Sequence, residues 1–234
     1  MDVDLAAAAA LIADPSRAAM LDALLSGGRH SARELAVAAG IAPSTATEHL
    51  DRLEAGGLVR CEKVGRRREV RLAGPEVARA LEALAVIAPS KPVRGLRGWH
   101  HGEALRNARS CYDHLAGRAG VALADGLVAG GLLRPGEGAF VLTGRGARRL
   151  ADFGLDVDAV LGARRATARA CVDWSERRPH VGGALGAALL DELLDRRWLT
   201  RAPAGGAKAT RGRVLRVTDD GRAGLRDALG VTAP

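Results

Sequence analysis

The residues of this chain best able to do chemistry come twice: Cys111, Asp113 and His114 in RSCYDHLAG, and Cys171, Asp173 and His180 in RACVDWSERRPH. A thiolate, an imidazole and a carboxylate together suit zinc or another thiophilic ion, and two such sets related by internal symmetry could frame one shared site. The spacing matches no strong metal motif, because Cys111 and His114 are three apart whereas Cys171 and His180 are nine apart. If RSCYDHL is helical, the first pair shares a face. A buried cysteine can equally pack as a small hydrophobe, with the Asp and His serving as a helix cap and its partner. Trp174 is then either core or one wall of an organic-ligand pocket. Structural, organic-ligand and metal or redox roles all stay open at this point, and no cofactor is identified. The same trio could be nucleophile, base and orienter. No nucleophile elbow, phosphate-cradling glycine loop or zinc-protease helix accompanies it, so an enzyme is not expected.

The two sets belong to an internal repeat. Arg109 to Leu127 matches RACVD and then, across the six-residue insertion WSERRP, HVGGALGAALLDEL, with ten of nineteen positions identical. TGRGARRLAD from Thr143 pairs with TDDGRAGLRD from Thr218 at the same spacing of Thr, Gly, Leu and Asp. Each half reads as helix, helix, hairpin, helix. LLRPGEGAFVL gives two short strands about a Pro-Gly turn, and WLTRAPAGGAKATRGRVLRV a longer version, which makes two degenerate wings. Residues 102–234 are therefore expected to be a sensing or dimerising domain of two repeats, 102–156 and 157–234. Pro89, Pro92, Gly95 and Gly98 break the periodicity before it, so 89–101 is expected to be a linker.

Residues 1–88 carry a different chemistry. Asp14 and Pro15 open a helix with Met20, Leu21, Leu24 and Leu25 on one face, Ser31 and Glu34 form a capping box for a second, and Pro43 suits the first position of a third. Thr45 and Glu48 also have capping-box spacing. Leu50 and Leu53 face inward, leaving Ser44, Thr45, Thr47, Glu48, His49 and Arg52 to meet base edges. LVRCEKV and RRREVRL then make a hairpin, the wing, whose stretch from Arg60 to Arg71 holds six basic residues against two acids. Lys63, Arg66, Arg67 and Arg68 sit where phosphates would lie. Cys61 is a half-buried strand residue, with no sign of the exposure or lowered pKa a redox switch needs. The order helix, helix, turn, helix, wing, helix is a winged helix-turn-helix for duplex DNA. The expected fold class is mainly α with small β-hairpins: an N-terminal winged helix-turn-helix and a C-terminal domain of two degenerate winged-helix-like repeats.

The run ADPSRAAMLDALLSGGRHSARELAVAAGIAPSTATEHLDRLEAGGLVRCEKVGRRREVRL resembles the arsenical-resistance repressor (ArsR) family of bacterial transcription factors over roughly residues 1–88. Ile41, Thr45, Thr47, His49 and Leu50 match that family's recognition-helix pattern, and Ala42 departs from it, losing the usual cap. Metal-sensing members commonly carry cysteines in the helix before the turn or an Asp and His set after the wing. ARELAVAAG has no cysteine and GPEVARALEALAVIAP no histidine, so any signal must enter elsewhere. The RxCYDHLAG motif is similar to one in a long-chain subgroup of such regulators. The resemblance implies a homodimeric, ligand-responsive repressor on a near-palindromic operator. The alternative is a thiol- or metal-responsive sensor-repressor that uses Cys111 and Cys171.

Composition sets the remaining bounds. The chain of 234 residues has room for a second core beyond one winged domain. Its formal net charge of +8 lies outside the first 88 residues, which hold eleven basic against twelve acidic side chains. That disfavours an architectural DNA-compacting protein, and the excess elsewhere suits flanking phosphates, an anionic ligand or solvated helix faces. Only six aromatic residues occur, too few for the stacking platforms that bind single strands. Three scattered cysteines and the lack of an evident signal peptide or anchor fit a cytoplasmic protein. Expected partners are double-stranded DNA, a second copy and a small-molecule or metal effector, with no membrane.

Overall fold

The computed structural model describes residues 3–65, 67–89, 95–202 and 212–234, apart from the side chains of Arg67 and Arg97, and the chain divides into two units, 1–82 with 203–213 and 83–202 with 214–234. Arg66, the stretch 90–94 of the expected linker and residues 203–211 of the expected longer wing lie outside the described residues.

In the first unit local caps fix the helix starts. Asp4 caps α1 (Leu5–Ala13), and Asp14 accepts the Ser16 and Arg17 N–H groups at the head of α2 (Pro15–Leu24). Strand β1 (His30–Ser31) leads into α3 (Ala32–Ala39), where Ser31 and Glu34 close a full capping box and Gly40 ends the helix in the left-handed region. Then come α4 (Pro43–Ala55), β2 (Val59–Val64), β3 (Arg67–Leu72) and α5 (Pro75–Ile87). The wing is antiparallel, Val59 opposite Leu72 and Val64 opposite Arg67, and β1 pairs with the far side of β3. Met20, Leu21, Leu24, Leu35, Leu50, Leu53, Val59 and Val70 are buried together, so α4 sits on α2 and α3 with its polar residues outward.

The Thr45–Glu48 capping box does not form. Helix α4 begins at Pro43, so Thr45 already stands at its third position, and the N-cap is Ala42, whose methyl accepts nothing. Its head therefore keeps orphan N–H groups that a hydroxyl would satisfy. Ala42→Ser is expected to stabilise the first unit by about 1 kcal/mol, read as a rise in denaturation midpoint; an unchanged midpoint would mean that water already serves those donors.

The second unit takes in the end of α5 from residue 83 and then α6 (Gly95–Asn107), so residues 95–101 are helical where a linker was expected. It continues through β4 (Arg109–Cys111), β5 (His114–Ala116), α7 (Arg118–Ala129), β6 (Leu133–Gly136), β7 (Ala139–Leu142), α8 (Gly144–Asp152) and α9 (Val157–Gly162). The second run is β8 (Arg169–Val172), β9 (Pro179–Gly182), α10 (Gly183–Asp195), β10 (Leu199–Arg201), β11 (Leu215–Val217) and α11 (Asp219–Leu229). Each run is therefore hairpin, helix, hairpin, helix, not helix, helix, hairpin, helix. RSCYDHL is not helical because Tyr112 takes φ 62°, folding β4 back on β5 through a tight turn. Helix α7 starts just after Gly117 at φ 79°, and its counterpart Gly183, at φ 80°, is the first residue of α10.

The two runs repeat down to their caps. Thr143 caps α8 by accepting the Gly146 N–H, and Thr218 caps α11 by accepting the Gly221 N–H, each at 2.9 Å. The chain is thus mainly α-helical, with small antiparallel hairpins arranged as repeated winged-helix-like units. In the second unit one core runs through both repeats, from Leu115, Leu123 and Leu127 to Leu185, Leu189 and Leu193.

Candidate functional site

Hairpin register explains how the two Cys and two His come together. Cys111 lies directly opposite His114 across β4 and β5, and Cys171 directly opposite His180 across β8 and β9. The six-residue insertion extends the second hairpin beyond that pair, by the rung Val172–Pro179 and a longer loop, so the cross-strand pair is unaffected. Side chains opposite one another on a two-stranded ladder share a face. Each hairpin therefore presents one sulfur and one imidazole side by side.

The hairpins pack crosswise. Strand β9 lies on α7 and β5 lies on α10, so each half's histidine sits over the other half's helix. Gly120 and Gly186 permit this: a Cβ at Gly186 would come within 3.0 Å of the His114 Cβ, and one at Gly120 within 2.5 Å of the Leu115 carbonyl and 3.5 Å of the His180 Cβ. The Cys111, His114, Cys171 and His180 donor atoms consequently all fall within 4.8 Å of one another. The two sulfurs are 3.9 Å apart and the imidazole centroids 5.1 Å. Cys111 and both histidines are buried and Cys171 is half-buried; no disulfide joins the three cysteines.

A carboxylate stands behind each imidazole. Asp113 Oδ1 is 3.1 Å from His114 Nδ1, and Asp173 Oδ2 is 3.5 Å from His180 Nδ1. An arginine balances each carboxylate in turn, Arg165 on Asp113 and Arg109 on Asp173. Burial alone would raise Asp173, but Arg109, Ser175 and the Gly117 N–H outweigh it and hold its carboxyl well below the usual range. Burial likewise pulls His114 down, yet Asp113 and the Cys171 sulfur outweigh it, pushing its pKa up to about 9. The Cys171 thiol is held far below its ordinary value by Cys111, then by His114 and His180, against the effect of burial. Thiolate is the form that binds metal and reacts with electrophiles.

Of the residues expected on sequence, Cys111, Asp113, His114, Cys171, Asp173 and His180 converge, whereas Trp174 lies outside the donor set with its ring 4.4 Å beneath the Arg109 guanidinium. Sequence reasoning missed Arg165 and the role of Arg109. The identity of Arg109 with Arg169 and of Gly120 with Gly186 in the repeat was the available signal for the scaffold.

On the first unit Ser44, Thr45, Thr47, Glu48 and Arg52 are exposed along α4. Thr47 donates its hydroxyl to the Pro43 carbonyl at 3.1 Å, which fixes its rotamer. His49 does not project outward: only 14% of its side chain is exposed, with Nδ1 3.4 Å from Arg17 and Nε2 3.9 Å from Asp14. Arg68, expected on phosphate, is held by Asp51 at 2.7 Å and Glu54 at 3.0 Å, and Glu62 takes Arg71 and Arg29. Two of the wing's basic side chains, Arg68 and Arg71, are thus paired within the unit. Arg52, Arg60 and Lys63 are exposed and form no ion pair among the described residues. Burial pushes the Cys61 thiol up, against the Arg68 guanidinium, which disfavours its thiolate.

Comparison with known proteins adds a wider frame. A helix-turn-helix domain family matches residues 12–62. The chain is 39% identical over 231 residues, 99% of both chains, to the uncharacterized HTH-type transcriptional regulator YdfF of Bacillus subtilis (strain 168). Among solved structures, it is similar to the homodimeric winged helix-turn-helix DNA-binding domain of a possible ArsR-family regulator from Mycobacterium bovis, at 32% identity over 36% of this chain and 76% of that one, with a TM-score of 0.34. NolR from Sinorhizobium fredii matches at 26% identity over 37% of this chain and 85% of that one, with a TM-score of 0.33. Among the described residues no helix is long and apolar enough to cross a membrane.

Proposed function

The chain belongs to the HTH-type transcriptional regulators, and from that premise we propose that it is an ArsR-like winged helix-turn-helix protein, a homodimeric repressor of a near-palindromic operator, with its signal entering through Cys111 and Cys171. It is a DNA-binding regulator and not an enzyme. The observation that carries the signalling part is the convergence of two sulfurs and two imidazoles, drawn from separate hairpins, inside 4.8 Å. A thiol- or metal-borne signal accounts for this grouping better than an organic effector does, because the donors are soft, close and mostly buried. The long-chain subgroup suggested by RxCYDHLAG, and an internal duplication as its origin, fit the repeated element order.

On the DNA side the proposed base-reading residues are Ser44, Thr45, Thr47, Glu48 and Arg52, which α4 holds exposed. Lys63 and Arg60 are the proposed phosphate contacts, together with Arg66 and Arg67. Arg68 and His49 are assigned to holding the unit together, given their partners. A second copy is required because one recognition helix reads one half-site.

Footprinting the purified chain on the DNA upstream of its own gene, with and without zinc, chelator and diamide, tests the reading: protection of an inverted repeat that one of these agents shifts is the expected result. Protection indifferent to all of them would overturn the signalling assignment. In the same assay Arg60→Ala with Lys63→Ala should weaken every duplex and lower the log–log salt slope by about 2, roughly one per lost phosphate contact. Thr45→Ala or Thr47→Ala should instead erode preference for the operator over random DNA. Equal losses on both DNAs from both sets would sink this division of roles.

A further inference from the structure

We propose that Cys111, His114, Cys171 and His180 hold one zinc-class divalent cation in a closed tetrahedral site, with Asp113 and Asp173 as the carboxylates that orient its two imidazoles. The inference names the ligand of the site proposed above, and so rests on that reading for its regulatory meaning but not for its chemistry.

Four independent features point the same way. The first is donor type and number: two sulfurs and two nitrogens within 4.8 Å of one another match the S2N2 set that selects zinc among the common divalent ions. The second is the histidine nitrogens. The Nε2 atoms of both His114 and His180 are buried without a hydrogen-bond partner. A buried nitrogen left so is costly, and a lone pair given to a metal removes the cost. The third is the carboxylate near each ring: Asp113 is hydrogen-bonded to His114 Nδ1 at 3.1 Å, and Asp173 stands 3.5 Å from His180 Nδ1, which has no other partner among the described residues. Metal-bound histidines are oriented by such partners. The fourth is charge. Two thiolates neutralise a divalent cation, and the two carboxylates are already matched by Arg165 and Arg109, so the loaded site carries no net charge.

With all four positions supplied by protein, no position is left for a water or substrate, which makes this a holding site and not a hydrolytic one. Each half contributes one Cys and one His from equivalent ladder positions. The ion therefore cross-links the two repeats of the second unit. It also occupies both sulfurs, so metal loading and a Cys111–Cys171 disulfide exclude one another.

Cobalt(II) is the probe, titrated into the full chain after chelator treatment under anaerobic, reducing conditions. Tetrahedral d–d bands with near-ultraviolet sulfur-to-cobalt charge transfer, saturating at one ion per chain and displaced by zinc, are the expected result. Cys171→Ser should abolish the charge transfer or markedly reduce it. Asp113→Asn leaves all four donors in place and should weaken zinc binding about 10–100-fold while keeping the spectrum. Circular dichroism on each variant separates loss of the site from loss of the fold. Absence of the bands in folded wild-type chain would overturn the proposal, as would bands unchanged in a folded Cys111→Ser, Cys171→Ser double variant. Bound metal that leaves operator affinity unchanged would overturn the regulatory reading alone, with the site intact.

Discussion

Asp173→Ala is expected to destabilise the second unit by about 3–5 kcal/mol, the usual cost of removing one member of a buried ion pair. Asp173 and Arg109 are both fully buried, 2.9 Å apart. Asp173 also accepts the Gly117 N–H at 2.7 Å and the Ser175 and Glu176 N–H groups at 2.9 and 3.1 Å. Truncation would strand a guanidinium in the core, left with the Trp174 face, the Leu105 carbonyl and the Ser175 hydroxyl, and would orphan three backbone donors. Replacing both partners, Arg109→Met with Asp173→Asn, should cost markedly less, because no uncompensated charge remains. Urea denaturation followed by tryptophan fluorescence measures both. A loss below about 1 kcal/mol for Asp173→Ala would show that water reaches the pair and that burial was not deciding its energy.

How much of this was legible in the residues depends on whether the signal was local. Asp14, Pro15, Ser31, Glu34 and Pro43 announce helix starts by interactions within three or four residues, and the structure honours every one of them. The exception is the Thr45–Glu48 box. The same spacing recurs inside a helix, and Pro43 had already claimed the first position. The convergence of Cys111, His114, Cys171 and His180 followed from the repeat, but its geometry did not. A helical reading of RSCYDHL put Cys111 and His114 on one face by the wrong route. It also made the nine-residue gap from Cys171 to His180 look like a departure, whereas on a hairpin a longer loop leaves register untouched. The decisive signal was Tyr112 in the left-handed region, which a tyrosine does not advertise. Arg68 shows the limit of charge counting: its partners Asp51 and Glu54 lie on α4, seventeen and fourteen residues back, and only the fold sets them opposite the wing.

Removing the metal is expected to lower the melting temperature of the second unit by on the order of 10 °C, and Cys111→Ser with Cys171→Ser should make that temperature indifferent to metal. The magnitude follows from mass action: an ion present at 1,000 times its Kd stabilises the form that binds it by about 4 kcal/mol. For a chain of this size each kcal/mol shifts melting by roughly 2–4 °C. A cross-link between two repeats is absent from the unfolded chain, so nearly all of that energy appears as stability. The same double variant separates scaffold from sensor. If the sulfurs only pack, it should lose about 1–3 kcal/mol from two buried polar swaps and still change its operator affinity when zinc or chelator is added. If they carry the signal, it should bind operator and fail to respond. Linkage then supplies a check independent of any variant. Should metal change the affinity for operator by some factor, saturating operator must change the affinity for metal by the same factor, typically 5–150-fold. Zinc titrations of the wild-type chain with and without operator DNA read that factor directly, and identical isotherms would confine the ion to holding the two repeats together.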